Sequence, residues 1–161
     1  MDSPMRATLG GIVRTDDGLL VVGSDEGLVG PDDIVVKLQS AETGGRWGVA
    51  VVSGVPGEGG GTHVHRGEPE GFFLLEGEVE LLGAMSRTPI RAGAFVLVPP
   101  DTEHGIRIVG SGPARWLAIW PAALDGLVED LQTVDAGDEA GASLTRSRHG
   151  ISPGRDRRDG S

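Results

Sequence analysis

The stretch Gly57–Gly77, GEGGGTHVHRGEPEGFFLLEG, decides how this chain is read. His63 and His65 stand at i and i+2, a spacing that puts both imidazoles on one face of a β-strand. Glu70 follows at the head of an apolar run, Phe72-Phe73-Leu74-Leu75. A third histidine, His104, lies in GAFVLVPPDTEHGIRI (93–108), just past a Pro-Pro-Asp turn. Three imidazoles and one carboxylate near strand ends form a donor set that a divalent transition metal prefers. A His-X-His pair alone is weak, because on a strand it is more often a surface pair. The weight comes from Glu70 and His104 together with it.

Outward from this stretch, the chain breaks into short apolar runs separated by turns. Upstream, Gly10–Arg14 leads through the turn Thr15-Asp16-Asp17-Gly18 to Leu19–Val22. Gly23–Asp33 reads as a polar loop, Ile34–Leu38 as a strand, and Trp47–Val52, apolar on both faces, as a central strand. Downstream, Phe72–Leu75, Val79–Leu82, Ile90–Ala92, Phe95–Val98, Gly105–Val109 and Arg115–Trp120 read as strands. In the last of these, Trp116, Ala118 and Trp120 share one face and Leu117 and Ile119 the other.

The period then changes. Pro121 is placed to open a helix, where its missing N–H costs nothing. Leu124, Leu127, Val128 and Leu131 follow as a narrow helical stripe. From Asp135 the residues are small and polar without a clear period, and the reading there is disorder. The expected organisation is a domain over 6–134 and a disordered C-terminal tail over 135–161, with residues 1–5 loose. Many short strands with one late helix predict an all-β sandwich or barrel.

Composition bounds the function. At 161 residues the chain fits one domain with a real core. Residues 1–143 hold 22 acids against 9 bases, and residues 144–161 hold 5 bases against 2 acids. An acidic body argues against nucleic acid or an anionic membrane as partner, and the short basic tail reads as a solvated end. The absence of cysteine excludes disulfides, thiolate metal sites and cysteine nucleophiles, and fits a cytoplasmic location. No secretory leader or membrane-span pattern is present, so a soluble protein is expected.

Gly57, five residues, His63-Val64-His65, four residues, Glu70, six residues, Gly77 is similar to the first conserved motif of the cupins. Gly93, five residues, Pro99 and then His104 resembles the second. The second motif usually has glycine at Asp101 and asparagine at Ile108; neither position is a presumed ligand. TGGRWGVAVV, EGFFLLEGEVEL and PARWLAIWPAALDGLVEDL further resemble the quercetin-dioxygenase-like group.

The resemblance implies a cupin jelly-roll β-barrel with a short C-terminal helix. It implies one divalent transition metal on His63, His65, Glu70 and His104, with iron, manganese, nickel, cobalt or zinc all suited to that set. His104 is expected to enter from a strand across the barrel. Glu70 would serve as general base as well as ligand. The implied activity is a metal-dependent dioxygenase acting on an enolic or phenolic small molecule, flavonol-like or polyketide-like. A metal-dependent cyclase or isomerase, or a non-catalytic ligand-binding cupin, is the alternative. The implied partners are the small-molecule substrate, dioxygen and a second copy in a homodimer.

Other residues have plainer readings. Glu68 and Glu103 read as solvated, and Arg107 and Arg115 as outward strand arginines. Trp47, Phe72, Phe95, Trp116 and Trp120 are each read as barrel core before pocket lining. His149 falls in the expected tail and is discounted. The glycines of 57–61 lack a following Lys-Ser/Thr and helix, so they read as an irregular approach to the histidines and not as a phosphate loop.

Overall fold

The computed structural model describes residues 12–31, 33–59 and 61–154. The expectations for residues 1–5 and for the last seven positions of the tail lie outside them. The strands are β1 (Ile12–Arg14), β2 (Leu20–Val22), β3 (Leu28–Val29), β4 (Ile34–Leu38), β5 (Trp47–Gly54), β6 (His63–His65) and β7 (Glu70–Glu76). They continue with β8 (Glu78–Gly83), β9 (Arg87–Arg91), β10 (Phe95–Val98), β11 (His104–Val109), β12 (Ala114–Pro121) and β13 (Ile151–Pro153). The helices are α1 (Leu127–Gln132) and α2 (Glu139–Arg148).

Two antiparallel sheets face each other. One has the order β10-β7-β12-β5-β4-β3 and the other β13-β6-β11-β8-β9; β1 and β2 form a separate hairpin. This is the all-β jelly-roll arrangement that the strand pattern and the resemblance predict. Inward positions alternate as a pleated strand requires: Ala114, Ala118 and Trp120 of β12 are buried, and so are Phe72 and Leu74 of β7. The core has two ends. At one, Val36, Ala50, Trp120, Leu124, Leu127, Val128 and Ile151 pack together; at the other, Leu74, Val79, Ile108 and Ala114 do. Phe72, Val98 and Ala118 make a smaller cluster of their own.

The outer face of the six-stranded sheet is also apolar. A single register row runs Val29, Val35, Val51, Leu117, Phe73, Phe95 across all six strands. Val29 is 64% exposed and Phe95 57%. The two outermost strands of the other sheet each contain a proline, Pro89 in β9 and Pro153 in β13.

The structure departs from the sequence reading at three places. Gly23–Asp33, expected as loop, contains β3, which pairs with the edge of β4. Pro121 does not open a helix; it is the last residue of β12 and pairs with Trp47. A 3-10 turn over Ala122–Leu124 follows, and α1 starts only at Leu127. The cause is Asp125, whose carboxylate accepts the Ser40 backbone N–H at 3.0 Å and holds the chain extended between the two helical pieces. The stripe still buries as read, with Leu124, Leu127 and Val128 in the core and Leu131 against it.

The third departure is the tail. Asp135–Gly154 is not loose: it forms α2 and β13. Composition misled because the segment has little apolar surface, yet its few apolar and small groups are placed where they count. Ile151 is buried in the main core and Thr145 is 1% exposed. Asp138 caps α2 by accepting the Gly141 N–H. His149, discounted above, fastens the end of α2, with Nε2 2.8 Å from the Asp130 carboxylate and Nδ1 donating to the Ala123 carbonyl at 3.0 Å.

Candidate metal centre

His63 and His65 leave β6 toward the barrel interior, as the i, i+2 spacing requires. His104 begins β11 and pairs directly with His63 in the same sheet. This corrects the expectation that His104 enters from across the barrel. The residue that crosses is Glu70. The chain leaves β6 after three residues, passes through Arg66–Pro69, and enters the opposite sheet as β7 with Glu70 at its head. The four side chains therefore meet between the sheets, with the imidazoles on one and the carboxylate on the other.

Their donor atoms all lie within 4.8 Å of one another. His63 Nε2 is 3.1 Å from His65 Nε2, and Glu70 Oε2 is 2.9 Å from His65 Nε2 and 3.0 Å from His104 Nε2. Ligands at right angles around an ion with bonds of about 2.1 Å stand about 3 Å apart, so this spacing suits a single divalent ion. His104 Nδ1 faces the Thr102 carbonyl at 2.9 Å and can only donate there. Its Nε2 is thereby the nitrogen available to a metal, the arrangement outer hydrogen bonds impose on metal-binding histidines. His65, Glu70 and His104 are buried, and His63 is half-buried.

The electrostatics express the same crowding. Burial raises the Glu70 pKa, but hydrogen bonds from His104 and His65 overcome it and hold the carboxyl down at about 2. Burial, then the neighbouring His104 and His65, lower His63 to about 4. Burial also works to lower His104, yet the Glu70 carboxylate and the Thr102 carbonyl outweigh it and leave this pKa raised.

A cavity of about 510 Å³ opens onto His63, Glu70 and His104. Its apolar wall includes Phe72, Ile106, Ile108 and Trp116. The charged side chains that line it besides the donors are Asp33 and Glu58; among the described lining residues there is no lysine or arginine. Gly59 and Gly61 form its lip as an irregular approach. A Cβ on Gly59 would lie 2.1 Å from the Ile106 carbonyl oxygen, and one on Gly105 would lie 2.2 Å from that of Gly61. Only bare backbone lets the loop sit this close to β11.

Among the aromatics, Phe72 and Trp116 line the cavity and Trp120 belongs to the core. Trp47 and Phe95 are exposed on the outside, at 43% and 57%. Glu68, Arg107 and Arg115 are exposed as read. Glu103 is not simply solvated, since its Oε1 accepts from Thr62 Oγ1 at 2.8 Å. Asp101 adopts the left-handed conformation, with φ of 59°, where the related motif has glycine, and its Oδ1 accepts the Gly67 N–H at 3.1 Å. Ile108 takes the place of the motif's asparagine and is buried in the apolar core.

Sequence reasoning missed Asp33 and Glu58 as cavity residues. Asp33 sits at the end of a stretch read as loop, and only the pairing of β4 with β5 brings it to the mouth. It also missed Arg146, which lies close enough to His63 to lower its pKa and lines a smaller hollow beside it. No sequence pattern flags an arginine two turns into an isolated polar helix.

Comparison with known proteins agrees with this geometry. A family model described as a cupin domain matches residues 50–120. A predicted oxalate decarboxylase from Thermotoga maritima superposes with a TM-score of 0.53 at 25% identity, over 55% of this chain and 77% of that one. The polyketide cyclase RemF from Streptomyces resistomycificus gives 0.51 at 15% identity, over 60% and 69%. A Klebsiella pneumoniae protein with a double-stranded β-helix domain gives 0.53 at 17% identity and covers 94% of this chain and 90% of its own. The last two likenesses concern the fold alone. No functionally curated protein matches the chain.

Proposed function

Residues 50–120 match a cupin domain, and from that premise we propose that the protein is a metal-dependent oxygenase, a dioxygenase acting on a neutral enolic or phenolic molecule. The cavity carries this reading. Its walls are apolar and aromatic, and every charged side chain around it other than the histidines is an acid: Asp33, Glu58 and Glu70. Such a field disfavours dianions such as oxalate or a sugar phosphate, since no lysine or arginine among the described lining residues answers their charge. A flat molecule with an acidic hydroxyl fits, with its rings against Phe72 and Trp116.

In this reading one divalent transition metal (iron, manganese, nickel or cobalt, with zinc also suited) is held by His63, His65, Glu70 and His104. The bound ion supplies Lewis acidity and stabilises negative charge on oxygen. Glu70 accepts the proton of the substrate hydroxyl. Its pKa of about 2 belongs to a carboxylate that receives hydrogen bonds from His65 and His104. With those Nε2 lone pairs on an ion, the histidines would no longer donate to Glu70, and the carboxylate oxygen not bound to the ion would be left to accept that proton. Phe72, Ile106 and Trp116 exclude water and orient the ring. The electron-rich anion so formed is the species that dioxygen attacks, with cleavage of a carbon–carbon bond. A cyclase or isomerase would use the same base and the same wall without oxygen.

The test is dioxygen uptake by the metal-loaded protein with a panel of flavonols and phenolic polyketides. Uptake that matches substrate loss and stops under nitrogen supports the oxygenase. Equal turnover under nitrogen refutes it in favour of the cyclase or isomerase, and ligand-dependent thermal stabilisation without turnover makes this a binding protein. The reading includes a cytoplasmic location, supported by the lack of cysteine, and a homodimer built on the Val29–Phe95 row. No helix among the described residues is long and apolar enough to cross a membrane.

A further inference from the structure

The strand that presents His63 and His65 is only three residues long, and its hold on the family-matched part of the barrel is slight. Its register with β11 is the single pair His104–His63. On its other side β13 pairs with it along its whole length: Ile151 with His65, Ser152 with Val64, Pro153 with His63. The ladder continues beyond the strand at both ends. Arg66 N–H donates to the Gly150 carbonyl at 3.1 Å, and Gly154 N–H to the Thr62 carbonyl at 2.7 Å. Antiparallel alternation then makes Ser152–Val64 a hydrogen-bonded pair and leaves Pro153 where no N–H is needed. Arg66 Nε also donates to Ser152 Oγ at 3.1 Å.

The same segment reaches the third histidine. Gly154 backs onto the hydrogen bond from Thr62 to Glu103, which joins the residue before His63 to the residue before His104. A Cβ on Gly154 would lie 2.0 Å from Thr62 Oγ1 and 2.8 Å from Glu103 Oε1. Ile151, buried in the main core, anchors the segment, and α2 brings Arg146 beside His63.

We propose that the C-terminal arm Glu139–Gly154, which lies wholly outside the family-matched residues 50–120, is a positioning element for the metal site, and that its docking on β6 sets the affinity for the ion. Ser152 and Gly154 are its positioning residues. Undocked, His63 and His65 hang on a strand tied to the barrel by one register pair, the Asp101 N–H donated to the His65 carbonyl and the Thr62–Glu103 hydrogen bond. By linkage, an arm that tightens ion binding is itself tightened by the ion to the same factor. A partner or modification that lifts the arm would therefore release the metal.

This inference rests on the metal reading, and the test separates the two. Cobalt(II) binding to the full-length apo chain is followed by its visible absorption and by competition with a chelator. S152P, which removes the donor to Val64, and G154V, which pushes into the Thr62–Glu103 contact, are expected to lose affinity tenfold to a hundredfold and to change the absorption envelope. S152A, which keeps the backbone donor to Val64 and loses only the Arg66–Ser152 Oγ bond, is expected to bind much closer to the parent than S152P does. V79A, a destabilising core change remote from the arm, leaves affinity as in the parent. In the parent, amide exchange at Ser152 and Gly154 slows at least tenfold when cobalt binds, a readout that needs no variant to fold. Parental affinity in both S152P and G154V, or exchange at those amides indifferent to cobalt, overturns the inference alone. Absence of cobalt binding by the parent overturns the metal reading and the inference with it.

Discussion

Replacing Glu70 by glutamine in the apo protein tests the electrostatic account of the site without recourse to any ion. Glu70 is 7% exposed and its pKa falls from 4.5 to about 2 because the hydrogen bonds from His104 and His65 outweigh its burial. A depression of that size corresponds to about 3 kcal/mol of folding stability that exists only while the carboxyl is ionised. The sign follows from proton counting. Between the two pKa values the unfolded chain holds the Glu70 proton and the folded chain does not, so this stability is complete above 4.5 and is lost as pH falls toward 2. Urea unfolding of chelator-treated parent and E70Q should therefore differ by about 3 kcal/mol at pH 7 and still at pH 5, but by only about 1 kcal/mol at pH 3. His63, lowered to about 4 by burial, costs both proteins stability as pH falls from 6.5, and taking the difference removes it to first order. The His104 imidazole resonances, followed by NMR, should titrate at lower pH in E70Q, because the largest influence raising that pKa has gone. A parent-to-variant difference that does not change between pH 7 and pH 3 would refute the reasoning: it would mean that the buried carboxyl is already neutral, or is not held by the histidines.

Two further outcomes are expected. Elemental analysis of protein purified without a histidine tag or chelator should find close to one transition-metal ion per chain in the parent and far less in H104A; equal content in both would remove His104 from the ligand set. F95E, which puts a charge into the outer apolar row, should convert a dimeric parent to a monomer in light scattering, and a parent that is itself monomeric would refute the dimer.

The strands and the donor set were legible in the sequence for definite physical reasons. Alternation marks half-buried strands, and Trp116, Ala118 and Trp120 of β12 turn inward as their period demands. The motif spacings place His63, His65, Glu70 and His104 because the residues between them must form particular turns. Sheet membership was not legible. Nothing local tells that Arg66–Pro69 carries the chain from one sheet to the other while His104 stays beside His63. The C-terminal arm was hidden for a different reason. Its order comes from β6 offering an unpaired edge and from the core accepting one isoleucine, and both are tertiary facts that a polar window cannot display. The helix expected at Pro121 failed through one side chain, Asp125, whose partner Ser40 lies far away in the chain.

The prolines at the rims of the five-stranded sheet bear on how copies of this chain can meet. Pro89 and Pro153 sit within the two strands that border it, each removing a backbone donor from a rim that would otherwise template another chain. Strand-by-strand extension, the route to open-ended fibres, is thus blunted on both sides of this sheet. The apolar row on the opposite sheet has no such guard, but it is a face and not a rim, and burying it against its own copy uses it up. In the proposed homodimer, contact of that kind would close at two subunits, and a sticky surface would be carried at high concentration without indefinite growth.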